Sequence, residues 1–358
     1  MKGEPAVKKL LLPVILSIAV LIFGIFLPQH NIFSQEIKKR TLASDHTVIE
    51  RWERRIRSII KAGKLPIIDT QATYGKKINT REFIEYMDEL GVALVAFAPK
   101  FKDPGRGSSE SLELFEKYPD YFVPTTTDGT TKYWFKQSGP YIDKIEEEVR
   151  SGSYYFIGEH ELRHYMSPRQ YKADKFWRDI NISPDTPWMH KLFKLSSESR
   201  ITFQIHHEPE DNLLEPLERM LAQYPDARII WCHMGQIRYP EKESVYSPAY
   251  VDKLLSKYQN LYFDLAVGRP GSEYPGSGFE HNTLQKSDGT LEEKWKAVIE
   301  KHPARFTAAT DIAPGRWLNF PDKIEQARDI LSDLSPPTAG RVAYKNAWFL
   351  ITGTRWVD

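Results

Sequence analysis

Cysteine is almost missing from this 358-residue chain. Cys232 stands alone in the apolar run RIIWCHMG, so an intrachain disulfide and a cysteine metal cage are both excluded, and a buried structural thiol is expected. An excess of charge of one sign is missing too. The 49 Lys and Arg offset the 48 Asp and Glu to a net charge of +1, which gives a nucleic acid no electrostatic reason to bind. Neither an internal repeat of fixed period nor a low-complexity tract interrupts the body, which argues against a solenoid and for one domain. The Gly-x-Ser-x-Gly elbow of a serine hydrolase is absent, and GRGSSES at 105–111 lacks the Lys-Ser/Thr ending of a phosphate-binding loop.

What is present suits an enzyme-sized globular protein. Hydrophobic residues make up 41% of the chain and aromatic residues 13%, enough for a large core. The N-terminus differs in character: MKGEPAVKK is basic, and LLLPVILSIAVLIFGIFL at 10–27 carries no charge. Residues 1–34 therefore read as a signal peptide or a membrane anchor, with Ser34 at a cleavage point behind Pro28. The lysines ahead of the apolar run place the body outside the cytoplasm, periplasmic or extracellular, soluble or tethered to the membrane through this segment. Residues 35–64 form a helical lead-in, and 65–358 the main domain.

From about residue 65 the chain alternates short β-rich apolar runs with longer helical patterns, which is the mark of βα units around a parallel sheet. The runs are PIID (66–69), ALVAFA (93–98), YFVPT (121–125), YYFIGE (154–159), ITFQIH (201–206), RIIWCH (228–233), LYFDLA (261–266) and RFTAAT (305–310). Eight runs predict a (β/α)8 TIM barrel, with an open doubly wound sheet as the alternative. Between them, NTREFIEYMDELG predicts a helix with an Asn79–Glu82 capping box and a Gly91 stop, and PYIDKIEEEVRS a second amphipathic helix. DNLLEPLERMLAQY predicts a third, with Pro216 in its first turn.

In a closed barrel the C-terminal ends of the strands converge, so ionisable residues there are the place to look for chemistry. They are Asp69, Gln71 and Thr73 after the first run, Glu159 and His160 after the fourth, His206 and His207 after the fifth, His233 after the sixth, and Asp311 after the eighth. Adjacent strand residues point to opposite faces, so only one of His206 and His207 can look inward. Each histidine alone could simply bond a carbonyl at the barrel rim; their joint placement favours a site.

The segments FQIHHEP, IIWCHMG and AATDIAP resemble the amidohydrolase superfamily, specifically its amidohydrolase 2 branch of decarboxylases and lactonases. The resemblance runs from about residue 66 to YKNAWFLI. It implies His206 as a metal ligand, His233 as a ligand or substrate-polarising group, and Asp311 as the residue that binds metal and takes the proton of the attacking water. Zinc or a similar divalent ion is the implied cofactor. The family's first-strand Asp-x-His-x-His departs here to Asp69, Gln71 and Thr73, whose neutral oxygens ligate zinc poorly. Gln71, Thr73, Glu159 and His207 are then expected to touch substrate or support the ligands. The reading is a hydrolase of a small ester, lactone or amide, water-activating and metal-assisted. Its alternatives are a metal-free lactonase or decarboxylase, and a non-catalytic membrane-tethered binding protein. The basic and aromatic loop residues Arg163, Tyr165, Trp177, Arg238, Tyr239, Arg269 and Tyr274 suit an anionic substrate, although most loop charges are merely solvated and none is taken as a site residue.

Overall fold

The computed structural model describes residues 46–99, 109–166, 168–274 and 276–358. The expected signal or anchor at 1–34 lies outside them; among the described residues no helix is long and apolar enough to cross a membrane.

Each predicted apolar run becomes a strand. They are β1 Ile67–Tyr74, β2 Val92–Pro99, β3 Phe122–Pro124, β4 Phe156–His164, β5 Thr202–His207, β6 Arg228–Trp231, β7 Leu261–Asp264 and β8 Phe306–Thr307. β1, β2 and β3 form one parallel sheet, and β8-β7-β6-β5-β4 a second, extended at its β4 edge by the antiparallel pair Ile180–Asn181. Isolated parallel bridges join the two sheets at both edges, Thr125 to Phe156 on one side and Ala72 to Ile312 on the other. The backbone bonds Thr126 N–H to Phe156 O (3.0 Å) and Thr73 N–H to Ile312 O (2.7 Å) run through these junctions.

The strands are buried almost throughout because helices cover them outside and side chains fill them inside; all eight residues of VALVAFAP are buried. Phe97 and Phe122 pack at 5.6 Å between ring centroids, as do Trp231 and Phe263, and Phe306 follows at 6.2 Å, so rings of neighbouring strands stack into the core. Cys232 is buried and free, as its apolar setting implies.

The helix Thr80–Leu90 buries Phe83 and Met87 and ends at Gly91, whose φ of +69° is the left-handed stop that glycine adopts without strain. The expected capping box is replaced by a side-chain contact: the Asn79 side chain accepts no backbone bond and instead donates to Glu82 at 3.1 Å. The helix over 211–223 starts at Asp211, which puts Pro216 in the second turn rather than the first. Burial of Leu213, Leu217, Met220 and Leu221 on one face outweighs the N–H that the proline withholds there.

Two connections follow the C-terminal ends of β4 and β7. The first begins later than the end of the fourth apolar run at residue 159, because β4 runs on through Glu161, Arg163 and His164. The second, after β7, carries a small antiparallel hairpin, Glu273–Tyr274 with Phe279–Glu280.

Candidate functional site

Glu159 on β4, His206 on β5 and His233 just past β6 meet inside the strand ends, each less than a tenth exposed. Glu159 Oε1 accepts from His206 Nδ1–H at 3.1 Å and from His233 Nε2–H at 3.0 Å, and its Oε2 accepts from Gln71 Nε2–H at 2.7 Å. The sequence placed Glu159 among the supporting residues; the structure puts it at the hub.

The second nitrogen of each ring is also engaged. His206 Nε2–H donates to Glu208 Oε1 at 2.9 Å, and His233 Nδ1–H donates to the Ala266 carbonyl at 2.9 Å. Carboxylates and carbonyls only accept, so with all four bonds made both imidazoles carry two protons. The electrostatics agree. Burial would lower the pKa of His206, but Glu159 and Glu208 raise it to about 10. Burial also opposes the charge on His233, and Glu159 outweighs it. Glu159, which burial would push up, is held well below the carboxylate range by the two histidines. Glu208, equally buried, is brought down to about 2 by Arg238, 2.9 Å away, and by His206.

The scaffold beneath is built to hold this centre. Asp69 is fully buried; its Oδ1 accepts from the backbone of Gln71 (3.2 Å) and Thr310 (3.0 Å), tying β1 to the segment after β8. Burial pushes the Asp69 carboxyl up to about 7 against those bonds. Asp264 at the end of β7 accepts from His233 N–H at 2.8 Å and Ala266 N–H at 3.1 Å, fixing the turn that aims His233. His233 (φ +66°) and Asp311 (φ +52°) both take the left-handed backbone conformation, which side chains other than glycine adopt at a cost.

Asp311 stands beside the centre rather than in the trio. Its carboxylate pairs with Arg316, whose guanidinium also bonds the Asp311 carbonyl. Desolvation would raise this carboxyl, but Arg316 and then His233 hold it below its ordinary value. Thr73 is buried and joins β1 to Ile312 through its backbone. His207 turns to the other face of β5 and packs on Trp231 at 5.4 Å, so His206 is the inward-facing one. His160 also faces away, its Nδ1–H on Gly158 O at 2.6 Å and its Nε2 3.0 Å from the Tyr141 hydroxyl.

Two residues of this network, Glu208 and Arg316, did not stand out in the sequence, and a third, Arg238, did so only as one of several loop residues suited to an anionic substrate. Glu208 was within reach, because the period of a strand puts it on the same side as His206 two residues earlier. Arg316 lies shortly after Asp311, in the segment that follows β8.

Two imidazoles and a carboxylate are a donor set that divalent ions accept, and the donor atoms of Glu159, His206 and His233 lie within 4.8 Å of one another. The amide oxygen of Gln71 is buried without a hydrogen-bond partner beside them. The residues therefore fit a divalent cation, provided the protons of His206 Nδ1 and His233 Nε2 leave.

No family model and no curated protein match the chain. Solved structures do. A 2,6-dihydroxybenzoate decarboxylase complexed with 2,6-dihydroxybenzoate aligns over 80% of this chain and 99% of its own, at 10% identity and a TM-score of 0.50. An amidohydrolase from Burkholderia multivorans covers 80% and 99% at 11% identity with a TM-score of 0.49, and a variant of organophosphorus hydrolase 80% and 92% at 15% with 0.47. The likeness holds at the level of fold: this chain has a parallel-stranded α/β architecture similar to that of the decarboxylase.

Proposed function

We propose that the chain is a hydrolase of amidohydrolase type that activates water against a small ester, lactone or amide at the C-terminal mouth of a (β/α)8 barrel. The barrel reading is supported by the bridges that join the two sheets at both edges. The observation that carries the function is the sharing of one buried carboxylate, Glu159, by His206 and His233 at the ends of neighbouring strands. Charged groups are costly to bury, and three together serve stability poorly but chemistry well.

Asp311, kept ionised by Arg316, is the base that takes a proton from water. His233 Nε2–H, aimed into the centre, is the donor for the substrate carbonyl and the oxyanion that grows from it. Glu159 and Gln71 set the position of both rings. A divalent ion such as zinc, held by Glu159, His206 and a His233 that has lost its Nε2 proton, would supply Lewis-acid polarisation in place of that N–H and a more acidic water. The sequence of the N-terminus supports an exported body as part of the same proposal.

A panel of esters, lactones and amides, with and without added zinc or manganese, tests this reading. Asp311→Asn should cut turnover by about a hundredfold or more with the fold intact. An unaltered rate contradicts the assignment. The full occupation of all four ring nitrogens favours a metal-free version as the second reading; turnover that survives chelation would select it.

A further inference from the structure

A second concave surface opens beside the centre, and none of Glu159, His206 or His233 lines it. It is an open groove of about 510 Å³ between the segment after β4 and the segment after β6, within the size that suits a small organic ligand. Tyr165 and Tyr239 meet in it edge to face at 4.5 Å. Arg163, Lys172 and Lys242 supply three cations against one lining carboxylate, Asp179.

Those cations differ in what they have left to offer. Arg163 is buried and saturated: it pairs with Glu210 at 2.6 Å and Asp179 at 2.7 Å, and its guanidinium lies 3.9 Å from the Tyr165 ring centre. Lys172 and Lys242 are exposed, and neither is in an ion pair among the described residues. Lys242 Nζ stands 5.3 and 5.1 Å from the ring centres of Tyr165 and Tyr239. The Lys242 ammonium beside two tyrosine rings, with Lys172 on the same lining and neither ion-paired among the described residues, offers an anion partner and a stacking surface in one place.

We propose that this groove binds a ring-bearing organic acid, with the ring against Tyr165 and Tyr239 and the carboxylate at Lys172 and Lys242. Tyr239 adjoins Arg238, which pairs with Glu208 and through it with His206. The groove is therefore on the same rim as the centre but does not depend on its chemistry, and it stands whether or not the hydrolase reading does.

Calorimetric titration of the full-length protein with benzoate and with glucuronate tests the proposal, with benzamide and glucose as neutral counterparts. The expected result is saturable binding of at least one acid, tighter than its neutral counterpart and weakened about tenfold by the double variant K172A/K242A. Benzoate alone would identify the carrier as an aromatic acid, and glucuronate alone as an acidic sugar; either supports the site. Both lysines are exposed, so the variant is not expected to disturb folding. Tyr239→Ala should weaken the same ligand and Asp311→Asn should leave it unchanged. The proposal is overturned if neither acid binds, if the neutral compounds bind as well, or if binding responds to Asp311→Asn and not to the lysines.

Discussion

Replacing Glu159 with Gln keeps the shape of the hub and removes its charge, which isolates the electrostatic part of the arrangement. The amide oxygen can still accept from both rings, but among the described residues His206 then has Glu208 as its only anionic hydrogen-bond partner, shared with Arg238. A pKa raised from 6.5 to about 10 on a fully buried ring corresponds to a ceiling of about 5 kcal/mol of linkage, divided between two carboxylates. Glu159→Gln should therefore destabilise the metal-free protein by about 2 kcal/mol. The sign with pH is fixed: a raised histidine pKa contributes fully below the unfolded value of about 6.5, and its contribution fades as pH climbs through about 10. The gap between wild type and variant should be widest in mildly acidic buffer and close at high pH. Urea unfolding in chelator across that range measures it. A gap that is absent at neutral pH, or that widens as pH rises, refutes the ion-paired description of the centre.

Zinc or manganese must displace protons from His206 Nδ1 and His233 Nε2, so affinity measured by competition with a chelator dye should rise by about tenfold or more per pH unit near neutrality; a flat profile argues that the trio is not the binding set. Gln71→His places an imidazole beside the buried trio and should tighten zinc at least tenfold, read in the same assay. His160 is buried and held neutral, with burial lowering its pKa to about 4, so folding stability should drop by about 3 kcal/mol as pH falls from about 6.5 to about 4. His160→Phe, followed by acid unfolding, should remove that dependence.

The strands were legible because they are buried on both faces and so carry short β-rich apolar runs, unbroken in β2. β4 was read short: its second half, Glu159 to His164, is polar yet paired with β5, and local composition carries no sign of that pairing. The same limit applied to the site. His206, His233 and Asp311 stood out by type and by position after a strand, whereas Glu159 looked like a supporting carboxylate until the closing of the sheets brought it between two rings. His206 and His207 could be told apart only as a pair, and Trp231 shows which one faces away. Arg238 and Arg316 reach the centre from loops, whose paths residue periodicity does not encode. Pro216 was placed by the rule for isolated helices, and packing overrode it.

The rate at which purified protein hydrolyses its best ester or lactone, compared with that of Glu159→Gln shown to be folded by circular dichroism, tests the central claim most directly. The account predicts a loss of about a hundredfold or more, because the rings that Glu159 aligns lose the anion that keeps them charged. A variant that turns over as fast as wild type would contradict it and leave the cluster as buried scaffolding.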